Sequence, residues 1–192
     1  MSEGKNYKSI PFIDGDQISL GPINFDHINL YVRWMNAPKI RKYMRYNMPQ
    51  TVEEVKKRFE SDKNEIKSEI FIEVYHKQDA RPIGLVGFIR IHWVTRTAHI
   101  FYLIGESAYW GQNIGTEAVK LVVSYGFNEL NLHKITARTF GPNKASLRVI
   151  EKNNFHHEIT LKKETYIDGD YVDLLNYIIF KDEWKKSQYK IF

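Results

Sequence analysis

Residues 109–118, YWGQNIGTEA, are the segment whose residue types and spacing best suit chemistry. Gly111 and Gly115 bracket Gln112, Asn113 and Ile114, and an apolar helical pattern follows from Thr116 onward. A helix start leaves its first backbone N–H groups unpaired and carries a partial positive charge. A glycine-containing turn leading into it lets the backbone close around an anion. Asn113 is of the type that best tolerates a left-handed backbone after glycine. The physical reading is a phosphate or pyrophosphate cradle, and the alternative is a plain strand-to-helix turn. No Gly-Lys-Ser/Thr follows, so this is not a P-loop, and the G-x-x-x-G spacing does not fit the dinucleotide fingerprint.

Such a loop needs a strand to deliver it and a helix to receive it. Residues 98–104 read as the strand and residues 115–128 as the helix. That strand is the third of a series, after 70–76 and 83–93, and the short turns between them predict an antiparallel meander. Ahead of the meander, residues 18–23 read as a strand. Residues 25–36 read as a helix, with Ile28, Tyr31, Val32 and Met35 at helical spacing. Pro38 opens a short second helix, and Thr51 to Glu54 form a capping box for a third that runs to about Lys63. Beyond the loop helix come a strand at 134–140, a helix beginning near Asn143, and a strand from Phe155 to about Thr165. Asp168-Gly169 marks a tight turn into a closing strand at 171–180. The order β-α-α-α-β-β-β-α-β-α-β-β predicts an α/β fold with a mixed, mostly antiparallel central sheet flanked by helices. No linker or repeat divides residues 1–192, so one domain is expected, with its core at about 15–184.

Composition narrows the function. Of 192 residues, 43% are hydrophobic and 27% charged, enough to bury a full core. No apolar run is as long as a membrane span, and residues 1–10 lack the apolar core of a leader. The absence of cysteine excludes disulfides, thiolate metal sites and cysteine nucleophiles. A cytoplasmic protein without membrane or metal is expected. The net charge of +5, from 28 Lys and Arg against 23 Asp and Glu, favours anionic ligands weakly. Its densest basic segments, KIRKYMR at 39–45 and Lys56-Lys57-Arg58, fit solvated helix faces better than a nucleic-acid footprint.

The loop and its helix, YWGQNIGTEAVKLVVSYGF, resemble the acetyl-CoA-binding motif of the GNAT superfamily of N-acetyltransferases, Gln/Arg-x-x-Gly-x-Gly/Ala. Trp110 takes the first position, Asn113 that of the first glycine and Gly115 that of the second. GPNKASLRVIEKNNF at 141–155 is similar to the second signature of that superfamily, with Asn154 replacing the glycine before Phe155. RWMNAPKIRKYM and ETYIDGDYVDLLNYIIFKDEW resemble the branch of ribosomal-protein N-terminal acetyltransferases (RimJ and RimL) and spermidine acetyltransferases. The resemblance spans nearly the whole chain.

It implies a single-domain GNAT fold and transfer of the acetyl group of acetyl-CoA to a primary amine, by direct attack in a ternary complex. The acceptor would be a protein N-terminus, a polyamine or another small amine. It further implies that the pyrophosphate lies on the backbone of Gly111, Gln112, Asn113, Ile114, Gly115 and Thr116, beside Trp110. The pantetheine arm would pair with Tyr102, Leu103 and Ile104, and Asn143 would face it from the far wall. Many relatives deliver the thiolate's proton from a helix tyrosine, but here that position is Ile150. Ser146, one turn earlier, becomes the candidate acid and a cofactor neighbour. His99 stands where the branch often has a glutamate base, and Glu106 is its rival. The hairpin with Tyr166, Asp168 and Tyr171, and Asp170 and Asp173 nearby, would border the acceptor groove, where carboxylates and rings suit a cation. A homodimer is also implied. The other readings are a CoA-binding module without catalysis and a basic nucleic-acid-binding protein.

Overall fold

The computed structural model describes residues 11–44, 48–60 and 66–189. Eight strands form one sheet in the order β1-β2-β3-β4-β5-β6-β8-β7. The strands are β1 (Ile13–Asp14), β2 (Ile18–Pro22), β3 (Ile70–His76), β4 (Arg81–His92), β5 (Thr97–Ile104), β6 (Lys134–Phe140), β7 (His156–Ile167) and β8 (Asp170–Phe180). The helices are α1 (Ile28–Asn36), α2 (Pro38–Arg41), α3 (Val52–Phe59), α4 (Ile114–Asn128), α5 (Lys144–Lys152) and α6 (Lys181–Tyr189). The meander expected from the sequence is β3-β4-β5, antiparallel throughout. The mixed α/β sheet flanked by helices is as the pattern predicts.

Several boundaries differ. Phe25–His27 forms a 3-10 turn ahead of α1, because the Asn24 side chain accepts the Asp26 N–H and tightens the entry. α3 has its capping box, with Thr51 and Glu54 bonded reciprocally, and ends at Phe59. The expected extension toward Lys63 and the basic residue Arg45 lie outside the described residues. β1 and α6 escaped the sequence reading. β1 is two residues long, and α6 is polar nearly all round, docking through Trp184 on Phe127 with ring centroids 5.5 Å apart. Among the described residues no helix is long and apolar enough to cross a membrane.

Strand alternation sends side chains to two cores. Ile72, Val74, Val86, Phe88, Ile100 and Ile135 pack with α4 on one face. Leu85 and Leu103 pack with α1, α2 and α3 on the other. The second core holds a buried carboxylate. Glu73, 2% exposed, accepts from the Tyr31 hydroxyl at 2.7 Å and meets His27 Nδ1 at 2.7 Å. Burial pushes its pKa up, and the two partners pull it back part of the way. These bonds clamp α1 to β3 and so set the α1–α2 rim over the end of β5.

The sheet opens at one place. β5 and β6 are its parallel pair, joined at Thr97↔Lys134, Ala98↔Ile135 and His99↔Thr136. Beyond that pair β5 continues to Ile104 and β6 to Phe140 with no further register between them. The result is a fork whose walls are strand edges.

Candidate active site

The loop at the mouth of the fork has the backbone its sequence demands. Gly111 has φ +79, which favours glycine, and Asn113 is left-handed at φ 63 and ψ 2. Asn154, also in a glycine position, has φ 61. α4 then starts with no side-chain cap, so its first N–H groups face outward. Ile114, 1% exposed, anchors this end in the core. Thr116 holds it from outside, its carbonyl accepting from Asn153 Nδ2 at 3.2 Å. Gln112 folds back, its Nε2 donating to the Ala108 carbonyl at 2.7 Å. Lys152, at the end of α5, donates from Nζ to Asn113 Oδ1 at 2.7 Å. An ammonium therefore stands beside an uncapped helix N-terminus. Sequence reading missed Lys152 because its partner is 39 residues away.

Trp110 and the end of β5 are coupled. The indole Nε1 donates to the Ile104 carbonyl at 2.8 Å, so this acceptor is engaged and only the rest of the β5 edge can receive an added strand. Leu103 is core on the α1 side, and Ile104 packs partly on the α4 side. A pocket of about 330 Å³ lies next to Trp110, between Ala37, Pro38, Lys39 and Ile40 on one wall and Gly105 and Ser107 on the other. Among the described residues Lys39 is its one charged lining residue, and none of them is a carboxylate.

Across the fork, β6 buries an orphan. Thr139 is 4% exposed and its hydroxyl has no hydrogen-bond partner among the described residues. A buried polar group left unpaired costs about 1–3 kcal/mol. It lies past the point where β5 and β6 part, on the face of Ile135 and Ala137. An uncapped helix end with an ammonium, an unpaired strand edge and an orphan hydroxyl together fit an elongated ligand with phosphates at one end and amides along its length.

The candidate catalytic residues fall on both faces. Ser146 lies in the first turn of α5, its N–H accepted by Asn143 Oδ1 at 3.1 Å. Asn143 is thus the helix cap, and only its amide end can meet a ligand. The Ser146 hydroxyl is 2.5 Å from the Tyr102 hydroxyl. Ile150 is fully buried in the α4-side core. His99 shares the opposite face with Phe101 and Leu103, and its Nδ1 is 2.7 Å from Thr136 Oγ1. That hydroxyl lies 3.3 Å from the Ala98 carbonyl, to which it can donate while accepting from His99 Nδ1–H. In this tautomer the imidazole lone pair is at Nε2.

Two of the expected site regions carry ion pairs. Glu106 is held by three donors. Its Oε1 accepts from Arg33 at 2.5 Å and from the Trp34 indole at 2.8 Å, and Arg81 lies 3.8 Å from Oε2. Burial raises its pKa, but Trp34, Arg33 and Arg81 outweigh burial and hold the carboxyl below its ordinary range. It ties α1 to the loop. The hairpin carboxylates are in part paired as well. Asp168 is paired with Lys42 of the α2 turn, and Asp173 with Lys162 at 2.8 Å. Tyr166 and Tyr171 are cross-strand partners with ring centroids 5.3 Å apart, both mostly exposed. The expected turn is present, Asp168 and Gly169 both having positive φ, and the charges of Asp168 and Asp173 are met within the protein.

A strand fork beside a left-handed entrance to a helix is the architecture of one class of acyl-transfer domain. The sequence profile of the acetyltransferase (GNAT) domain matches residues 17–156, and the chain belongs to that family. It is 38% identical over 123 residues to the probable N-acetyltransferase YjcK of Bacillus subtilis, covering 64% of this chain and 65% of that one. It is 32% identical over 106 residues to the spermidine N(1)-acetyltransferase of Escherichia coli K12, covering 55% and 56%. The matched segments thus span less than two thirds of these relatives. The fold is shared with a spermidine N-acetyltransferase from Vibrio cholerae, solved in complex with CoA and spermine. There the TM-score is 0.79 at 22% identity, covering 89% of this chain and 99% of that one.

Proposed function

We propose that this protein transfers the acetyl group of acetyl-CoA to a primary amine by direct attack in a ternary complex. The observation that carries the proposal is the uncapped, left-handed entrance to α4 beside Lys152, at the mouth of the β5–β6 fork. Acetyl-CoA supplies an activated thioester carbonyl. Residues 111–116 bind its diphosphate through backbone N–H groups, helped by the Lys152 charge. The fork walls hold its amide arm between β5 and β6, with Thr139 and the amide of Asn143 on the far side. Since His99 and Ser146 lie on opposite faces, the amine is deprotonated on the α1 side while the leaving thiol is met on the α5 side. His99 is the base, acting through Nε2 directly or by water.

Relatives named for spermidine support a polyamine among the acceptors. A thioester-cleavage screen over polyamines, aminoglycosides, amino sugars and N-terminal peptides tests this. Acetyl-CoA binding without turnover on any amine would instead identify a CoA-binding module. Thr139→Val gives an independent check. It removes the orphan hydroxyl at nearly constant shape, so the ligand-free melting temperature should hold or rise. Acetyl-CoA affinity should fall by about tenfold, ~1.4 kcal/mol, by calorimetry. Equal affinity would place Thr139 away from the ligand.

A further inference from the structure

Both flanks of the loop at 110–116 are staked to the same support. The turn between β3 and β4, residues 77–80, is bonded to the turn between β1 and β2, residues 15–17. The Lys77 N–H donates to the Gln17 carbonyl at 3.0 Å, and Lys77 Nζ donates to the Gly15 carbonyl at 2.9 Å and meets Asp14 at 3.0 Å. Each turn then reaches one flank. Asp79 accepts from the Tyr109 hydroxyl at 2.5 Å, immediately ahead of Trp110 and Gly111. The Gln17 N–H donates to Glu117 Oε1 at 3.1 Å, in the first turn of α4. Tyr109, Asp79, Lys77, Gln17 and Glu117 thereby close a ring in which residues 110–116 are the arc.

The Tyr109–Asp79 bond has a fixed direction, because an ionised carboxylate has no proton to give. It raises the pKa of the phenol and holds Asp79 below its ordinary range. His76, 9% exposed, backs both partners. Its ring centroid is 4.8 Å from that of Tyr109, and its Nδ1 is 2.9 Å from Asp79 Oδ2. The Gln17 contact has a second effect. A carboxylate in the first turn of a helix draws on the same partial charge as a bound anion, and this one is turned toward the β1–β2 turn. The loop itself has little packing to hold it. A Cβ built on Gly111 meets nothing within 4 Å among the described residues, so the span of the arc depends on its staked ends.

We infer that Tyr109 and Asp79 are positioning residues that hold residues 110–116 at the span a diphosphate needs before the ligand arrives. This inference rests on the acetyl-transfer reading, which supplies the diphosphate. A loop that is competent only part of the time binds more weakly in proportion to that fraction, so a fall to about a tenth costs about tenfold in affinity.

Tyr109→Phe removes the hydroxyl and keeps the ring against His76 and the core. Asp79→Ala removes the acceptor, and Asp79→Asn keeps one. By calorimetry, acetyl-CoA should bind Tyr109→Phe and Asp79→Ala about tenfold more weakly than the parent, and the double variant no more weakly than either. Asp79→Asn should stay within about threefold of the parent, on the same scale of competent fraction. Acetylpantetheine, which has the thioester arm and no diphosphate, should bind all these proteins alike. In the ligand-free protein, amide hydrogen exchange of residues 110–116 should quicken in Tyr109→Phe while that of the α4 interior holds. With an amine found in the screen, KM for acetyl-CoA should rise about tenfold and kcat stay within about twofold. Unchanged acetyl-CoA affinity in Tyr109→Phe, or an equal loss for acetylpantetheine, overturns the inference. Should Tyr109→Phe not fold, unchanged affinity in Asp79→Ala overturns it as well. Weakened acetyl-CoA binding in the variants with no amine acetylated by the parent sustains the positioning role and sinks the transferase reading, and turnover with KM unchanged in both variants does the reverse. Failure of the parent to bind acetyl-CoA overturns both.

Discussion

Gly115→Asp should weaken acetyl-CoA binding by at least about tenfold, ~1.4 kcal/mol, while the protein stays folded. The space around Gly115 makes this a clean experiment. An added Cβ would meet Val149 Cγ2 at 3.5 Å and Ile104 Cγ1 at 3.8 Å, both ordinary contacts, and the backbone is not left-handed there. Gly115→Ala is accordingly the neutral control for both folding and binding. An aspartate in the first turn of a helix interacts favourably with the dipole, by about 0.3–1 kcal/mol. The substitution should therefore leave thermal stability level or slightly raised while it repels a diphosphate from the same N–H groups. Calorimetry on parent, Ala and Asp proteins reads the difference. Unchanged affinity in the Asp variant would remove the anion from this loop, and the loop would revert to a plain strand-to-helix turn.

His99→Gln should lower turnover by about a hundredfold, the scale of losing a positioned general base. The pH profile carries the sharper information. A base works only when deprotonated, so the rate falls as pH drops through its pKa. Glu106 is held below the usual carboxylate range by Trp34, Arg33 and Arg81, and a limb belonging to it would persist in His99→Gln and vanish in Glu106→Gln. Glutamine keeps a donor for Thr136, so the last β5–β6 pair should remain closed and the fork intact. Loss of the acid limb in His99→Gln is the expected result. An acid limb that survives there would exclude His99, and amine deprotonation in bulk solvent would replace it if Glu106→Gln leaves the limb as well.

The sequence by itself determined what depends on neighbours along the chain. The conformation of residues 111–116 follows from which residues tolerate positive φ, and Gly111 and Asn113 adopt it. The α3 capping box, the β3-β4-β5 meander and the Asp168-Gly169 turn are equally local, set by caps, alternation and turn residues within a few positions. Spacing alone could not decide which side chains meet. Glu106 looked available until α1, 73 residues upstream, brought Arg33 against it. Asp168 looked open until the α2 turn, 126 residues away, supplied Lys42. Tyr102 and Ser146 are 44 residues apart, and only the packing of α5 over β5 turns a strand residue and a helix-cap neighbour into one pair. The fork is of the same kind. Nothing in β5 or β6 alone announces that their pairing stops at His99 and Thr136, because that depends on how the two halves of the sheet splay over their separate cores. Backbone conformation is chosen by local sterics and hydrogen bonding, whereas charge pairing and proton delivery are chosen by distances that exist only after long-range packing has fixed them.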